Sequence, residues 1–167
     1  MTQLQRITTE YNESEDRMRL AGEDAQGQTV VLWLTQRLLS RLVAHLCRWL
    51  EQQGGNAPLV EVRQEFAQQT ARAELVPQPP VRAQPDVQGV LIHSVDLKTA
   101  NADMGLQFRN SGGHGVASLQ LQHRALRQWL NIVFDQYRKA QWPTDVWPAW
   151  VAQAKPPETP SRAVLFH

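Results

Sequence analysis

Residues 30–50 read VVLWLTQRLLSRLVAHLCRWL, and 87 positions later residues 117–137 read ASLQLQHRALRQWLNIVFDQY. At that spacing Leu32 falls on Leu119, Leu34 on Leu121, Arg37 on Arg124, Leu39 on Leu126, Val43 on Leu130 and Leu46 on Val133. Each stretch opens with the two-residue alternation of a strand. It then passes directly into apolar residues at i, i+3, i+4, i+7, the stripe of an amphipathic helix. Two further strand-like runs precede each copy. The pattern predicts two β-β-β-α units, residues 3–53 and 89–141, within a single globular domain over 1–141.

Upstream of the first copy, residues 4–11 read as a strand with Ile7, Thr9 and Tyr11 on one face. A polar turn over Asn12–Asp16 follows, and 17–21 returns with Met18 and Leu20 opposite Arg17 and Arg19. The strand at 29–34 is apolar on both faces, which places it centrally. Thr35 stands where an N-cap belongs. Gly54-Gly55 ends the first helix, and Pro58 suits the first turn of a second helix over 58–74. Leu59, Val62 and Phe66 are its expected buried contacts. Four prolines in 76–88 mark a linker that is extended or lies along the surface. The second unit repeats the strands at 89–97, 104–110 and 115–121, with Ser111-Gly112-Gly113-His114 as a turn. Its closing helix, 122–141, carries the stripe Leu126, Trp129, Leu130, Val133, Phe134, Tyr137. Residues 142–167 form a Trp- and Pro-rich tail. The fold class is α+β: an antiparallel sheet or sandwich of about six strands, a helical pair inserted between the halves and a C-terminal helix.

That element order resembles the globular head of a scaffold superfamily that includes the DNA end-joining scaffold proteins and the centriole cartwheel protein. The resemblance covers about residues 3–140, is carried by element order, and transfers no functional residue. It implies a small β-sandwich head with a helical pair inserted in its middle, a closing helix that continues as a coiled coil, and dimerisation. Here the closing helix meets Trp142-Pro143 instead of further heptads.

Composition narrows the function classes. Net charge is +1, smaller than the basic excess of most nucleic-acid binders. The charge is uneven, with a balance of −3 over residues 1–34 and +3 over 123–167, which suits a basic C-terminal face meeting an acidic partner or a second copy. No apolar run reaches membrane-spanning length, and the N-terminus has no basic region leading into an apolar one, so the expectation is a cytoplasmic protein without membrane contact. A single cysteine, Cys47, excludes an internal disulfide framework.

The chain is poor in catalytic vocabulary. No phosphate-binding glycine loop, dinucleotide fingerprint or nucleophile elbow occurs. His45 and Cys47 lie two apart on a helix, pointing to different sides, so no metal ligand set and no cofactor are expected. Cys47 at the edge of the apolar stripe reads as packing. The acidic turn Glu13, Glu15, Asp16 lacks calcium-loop order. Pro77-Gln78-Pro79-Pro80 matches PxxP but reads as linker.

Two features remain for binding. Arg37, Arg41, His45 and Arg48 share one helical face, with Arg124, Arg127 and Arg138 as a looser counterpart, and arginine forks match carboxylate and phosphate. Trp142, Trp147 and Trp150 give the tail contact energy, with Trp147 and Trp150 on one face of a short helix capped by Thr144. The leading expectation is a non-catalytic, self-associating interaction or scaffold module, a homodimer that binds through Trp142, Trp147, Trp150, Arg37, Arg41 and Arg48. The first alternative is nucleic-acid or anionic-partner binding through the arginine face. The second is a small enzyme with a site between the units, near Arg17, Arg19, His93 and His114.

Overall fold

A computed structural model describes residues 1–54 and 59–154. Gly55, Pro58 and the end of the tail from Lys155 lie outside the described residues. The first half runs β1 (Thr2–Leu4), β2 (Arg6–Asn12), β3 (Arg17–Glu23), β4 (Thr29–Leu34) and α1 (Gln36–Gln53), then α2 (Val60–Ala73). The second runs β5 (Gly89–Leu91), β6 (Ser94–Ala100), β7 (Asp103–Arg109), β8 (Gly115–Leu121) and α3 (His123–Ala140), then a single turn, α4 (Ala149–Ala152). The repeat is structural: α1 and α3 are both 18 residues long, and they start and end 87 positions apart. Thr35 caps α1 as its spacing demands, its hydroxyl accepting from the Leu38 N–H at 3.2 Å.

The fold is α+β, but each half has four strands and both sheets are mixed. One sheet has the order β2-β3-β4-β5, the other β1-β8-β7-β6. In each, three antiparallel strands of one half are joined by a parallel three-residue strand of the other: β5 lies beside β4, and β1 beside β8. The expected strands at 4–11 and 89–97 are therefore each cut in two. The cut is visible in the hydrogen bonds. The Gln5 N–H donates to the Glu23 carbonyl at 2.8 Å as the chain leaves β1 for the other sheet. Ile92 still donates to Trp33 at 3.0 Å, while His93 already donates to Arg109 at 2.8 Å. Side-chain alternation runs on across both crossings, so periodicity alone cannot reveal them.

Close backbone approach makes the exchange fit. Leu4 of β1 lies over Gly22 of β3, where an added Cβ would come within 2.8 Å of the leucine side chain. At Gly89 of β5 a Cβ would come within 2.0 Å of Trp33 Nε1. Met18, Leu20, Leu32 and Leu34 from one sheet join Met104, Leu106, Phe108 and Leu119 from the other in one core, closed by α1 and α3. Those helices run antiparallel. Ser40 Oγ meets Tyr137 Oη at 2.7 Å at one end, and Trp49 stands edge-on to His123 at 5.0 Å at the other.

The proline-rich linker lies along the surface. Pro79 accepts from Arg6 Nη1 at 2.5 Å, and the Val81 N–H donates to Thr8 Oγ1 at 2.8 Å. Thr8, Ala21 and Val31 are cross-strand neighbours, and the linker crosses their face with Val81 buried. The core also extends beyond 141. Gln141 takes a left-handed conformation, and the Trp142 N–H returns to the Tyr137 carbonyl at 3.1 Å. The expected tail helix behind Thr144 is reduced to α4, which begins only after Pro148; Thr144 contributes its carbonyl to a turn with Trp147. No helix among the described residues is long and apolar enough to cross a membrane.

The exchanged strands make each half depend on the other. Leu4→Ala removes a fully packed side chain at the crossing and should cost roughly 2–5 kcal/mol. In denaturant the loss should appear as one transition, seen alike by tryptophan fluorescence and by far-ultraviolet circular dichroism.

Candidate docking surface on the second helix

α2 reads VEVRQEFAQQTARA and offers two periodic faces. One carries Val62 and Phe66, extended by Leu59 before the helix. The other carries Gln64, Gln68 and Ala71. Apolar periodicity predicts the first face inward, and the structure does the opposite. Leu59 is 62% exposed, Val62 59% and Phe66 70%, while Gln64, Gln68 and Ala71 are buried.

The reason stands on α3. Arg127 points into the helix interface and is only 8% exposed. A guanidinium stays charged and carries five donors, so its burial requires acceptors. Gln64 Oε1 accepts from Nη2 at 2.6 Å and Gln68 Oε1 from Nη1 at 3.3 Å. The amide nitrogens of both glutamines are used as well: Gln64 donates to the Leu50 carbonyl at 2.9 Å and Gln68 to the Arg127 carbonyl at 2.8 Å. Trp150 stacks under the guanidinium at 5.4 Å and donates its indole N–H to Glu51 at 2.9 Å. Burial pulls the Arg127 pKa below its ordinary value, partly opposed by the nearby Cys47. Turning α2 to bury Phe66 would leave this charge without partners.

Beside the exposed ridge runs an open groove of about 410 Å³ between α2 and the start of α3, lined by Phe66, Ala67, Thr70, His123 and Arg124 among others. Arg124 pairs with Glu74 at 3.2 Å on its rim. His123 Nε2 is buried without a hydrogen-bond partner, and burial, followed by Arg127, lowers its pKa. The surface holds an apolar ridge, a groove wide enough for side chains and a charged edge, and contiguous exposed apolar surface of this kind marks sites of protein contact. It presents no nucleophile–base pair.

The residues expected to bind separate into two groups. Trp142, Trp147 and Trp150 are buried in the chain's own core: Trp142 lies edge-on to Tyr11 and Tyr137, and Trp147 to Phe134 and Tyr137. Trp142 also donates to Asp16 at 3.2 Å; the Tyr11 hydroxyl first, and this indole second, lower the pKa of that carboxyl. These indoles offer no free surface in this conformation. Arg37, Arg41, His45 and Arg48 are exposed together on α1. Of the looser counterpart, Arg127 is buried, Arg124 is paired and Arg138 is exposed.

Cys47 is buried, and desolvation pushes its thiol up to about 12, far from a nucleophile's range. The residues of the enzymatic alternative lie apart. Arg19 pairs with Glu10 in one groove, His93 lines another beside α1, and His114 is exposed at the β7–β8 turn. Among the described residues no three His, Cys, Asp or Glu side chains gather as a metal site. Apolar periodicity does not single out Gln64 and Gln68. Their i, i+4 spacing beside Ala71 was as regular as that of Val62 and Phe66, and only the polarity rule ranked it second. No protein-family model, curated protein or solved structure matches this chain.

Arg127→Ala strands the Gln64 and Gln68 carbonyls and empties the space over Trp150. It should cost roughly 2–5 kcal/mol in equilibrium unfolding, at the upper end of single-site effects. A second outcome follows from His123. Its folded pKa lies below its unfolded one, so its neutral form stabilises the fold fully above the unfolded value. That contribution is lost as pH falls from about 6.5 through the folded pKa. The urea midpoint should therefore drop as pH falls below about 6.5, and His123→Gln should flatten that drop.

Proposed function

We propose that this chain is a non-catalytic protein–protein interaction module that self-associates, with the α2 ridge as its contact. The observation that carries the reading is the outward placement of Val62 and Phe66 on α2, and of Leu59 just before it, while Gln64 and Gln68 are buried. A single exposed apolar residue is ordinary; three aligned along a helix and its entry, beside a groove, are an interface signature. Phe66 supplies the aromatic anchor on which such contacts depend. The scaffold-head resemblance implies dimerisation through a coiled-coil extension of the closing helix. Because α3 ends at Ala140 and the chain folds back over Tyr137, we read the dimer contact on α2 instead. A cytoplasmic setting fits the lone buried thiol.

A second reading rests on the α1 face, where Arg37, Arg41, His45 and Arg48 form no ion pair among the described residues. Such a face suits an anionic partner, nucleic acid included. Nucleic-acid binding would weaken steeply with salt, by a slope of about one log unit per log unit of salt for each phosphate engaged.

The test is the molar mass in solution by size-exclusion chromatography with light scattering across a concentration series. Phe66→Asp should weaken self-association by tenfold or more, equivalent to about 1.4 kcal/mol. It should leave folding stability within about 0.5 kcal/mol, since the side chain is exposed. An unchanged mass profile would remove α2 as the contact.

A further inference from the structure

The internal repeat says what belongs on α1. On α3, the face that α2 covers is marked by three contacts: Arg124 to Glu74 at 3.2 Å, Gln128 Nε2 to the Ala71 carbonyl at 2.9 Å, and Asp135 to Arg72 at 4.0 Å. Shifted back by 87 positions, those α3 residues become Arg37, Arg41 and Arg48. Position 127, through which α2 is seated on α3, becomes Ser40. Thus, among the described residues, no helix covers the α1 face equivalent to the helix-covered face of α3. Ser40 and Ala44 lie half-buried along it beside the exposed arginines, and the Ser40 hydroxyl meets Tyr137 at 2.7 Å. Small side chains admit close helix approach, and here they coincide with a face that the duplicated half fills with a helix.

The chemistry of this face is complementary to the outward face of α2. Beside α1 an open groove of about 290 Å³ is lined by Thr35, Arg37, Leu38, Arg41, Leu91, Ile92 and His93. Its apolar floor includes Leu91, which is 44% exposed. The outward side of α2 carries Val62 and Phe66 with Glu61 and Glu65 alongside, at the same four-residue spacing as Arg37 and Arg41. Neither glutamate is in an ion pair among the described residues; Glu65 accepts only from Gln69, at 3.3 Å. We infer that α2 of a second copy of this chain docks on the α1 face, with Val62 and Phe66 over Leu38 and Leu91, and with Glu61 and Glu65 against Arg37 and Arg41. The contact is made twice in a twofold dimer, α2 to α1 and α1 to α2. This rests on the self-association reading and names its second surface.

Charge exchange tests it with the full chain. Arg37, Arg41 and Glu61 are exposed and Glu65 is half-buried, and circular dichroism should show both Arg37→Glu/Arg41→Glu and Glu61→Arg/Glu65→Arg folded. Each alone places like charges in both copies of the contact and should weaken dimerisation by tenfold or more. An equimolar mixture of the two makes every contact complementary again and should restore a mass near twice 19.0 kDa. The same restoration is expected for one chain that carries all four substitutions. If either variant dimerises as the unaltered chain does, the pairing of these faces is overturned; the α2 reading then survives on its own if Phe66→Asp still disrupts the dimer. If the variants are weakened but their mixture stays monomeric, the pairing is also overturned, and the two faces serve different partners. If the unaltered chain is monomeric at all concentrations, both the pairing and the self-association reading fall.

Discussion

Burial of one guanidinium decides how the helical layer is arranged. Arg127 lies inside the contact between α2 and α3, and no carboxylate among the described residues is bonded to it; two glutamine carbonyls and an indole face take that place. A buried cation tolerates no loss of its acceptors, because the desolvation cost is met only while they are in position. The rotation of α2 about its own axis is therefore set by Gln64 and Gln68. The exposure of Phe66 follows from that rotation. What looks like a violation of the hydrophobic rule on α2 is the consequence of a stronger electrostatic rule on α3.

The sheets rest on a different constraint. Each has three strands that could pair in an isolated half, and a fourth that only the other half can supply. A three-residue strand is too short to hold by itself. Leu4 over Gly22, and β5 against Trp33, show that the crossings are packed as tightly as the core. The reciprocal exchange turns two similar halves into one object with a shared core, and it requires the linker to return across the outer face of the first sheet, where Val81 is buried.

The repeat was legible because it is carried by core positions. Leu32, Leu34, Leu39, Val43 and Leu46 and their partners are all buried, and burial constrains residue type at every one of them. Strand crossings were not legible, since alternation continues through Gln5 and through Ile92-His93 while the hydrogen-bond partner changes. The α2 ridge was legible as a pattern and misread as to direction: Leu59, Val62 and Phe66 are correctly one face, but the face that turns inward is fixed by Arg127, which lies 61 positions beyond Phe66. The tail tryptophans were recognised as rich contact groups. That Trp142 and Trp147 find Tyr11, Phe134 and Tyr137 depends on the left-handed turn at Gln141, and such a turn at a non-glycine residue has no sequence signal.

The places where the halves differ are the places where surface chemistry is left over. A perfect repeat would put the same helix on both α1 and α3, and would leave neither face open. Here position 40 is serine where position 127 is arginine, and positions 41 and 48 are arginine where 128 and 135 are glutamine and aspartate. The changes on α3 suit α2: the arginine is answered by its two glutamines, Gln128 by the Ala71 carbonyl and Asp135 by Arg72. The changes on α1 have no answering group among the described residues, and they concentrate positive charge on its exposed face. Core packing does not require that charge, for the stripe of Leu39, Leu42, Leu46 and Leu50 is complete without it. Solubility would be met by mixed signs as well as by one. A one-signed face on α1 and an apolar ridge flanked by glutamates on α2 are the complementarity on which the proposed pairing of two copies rests.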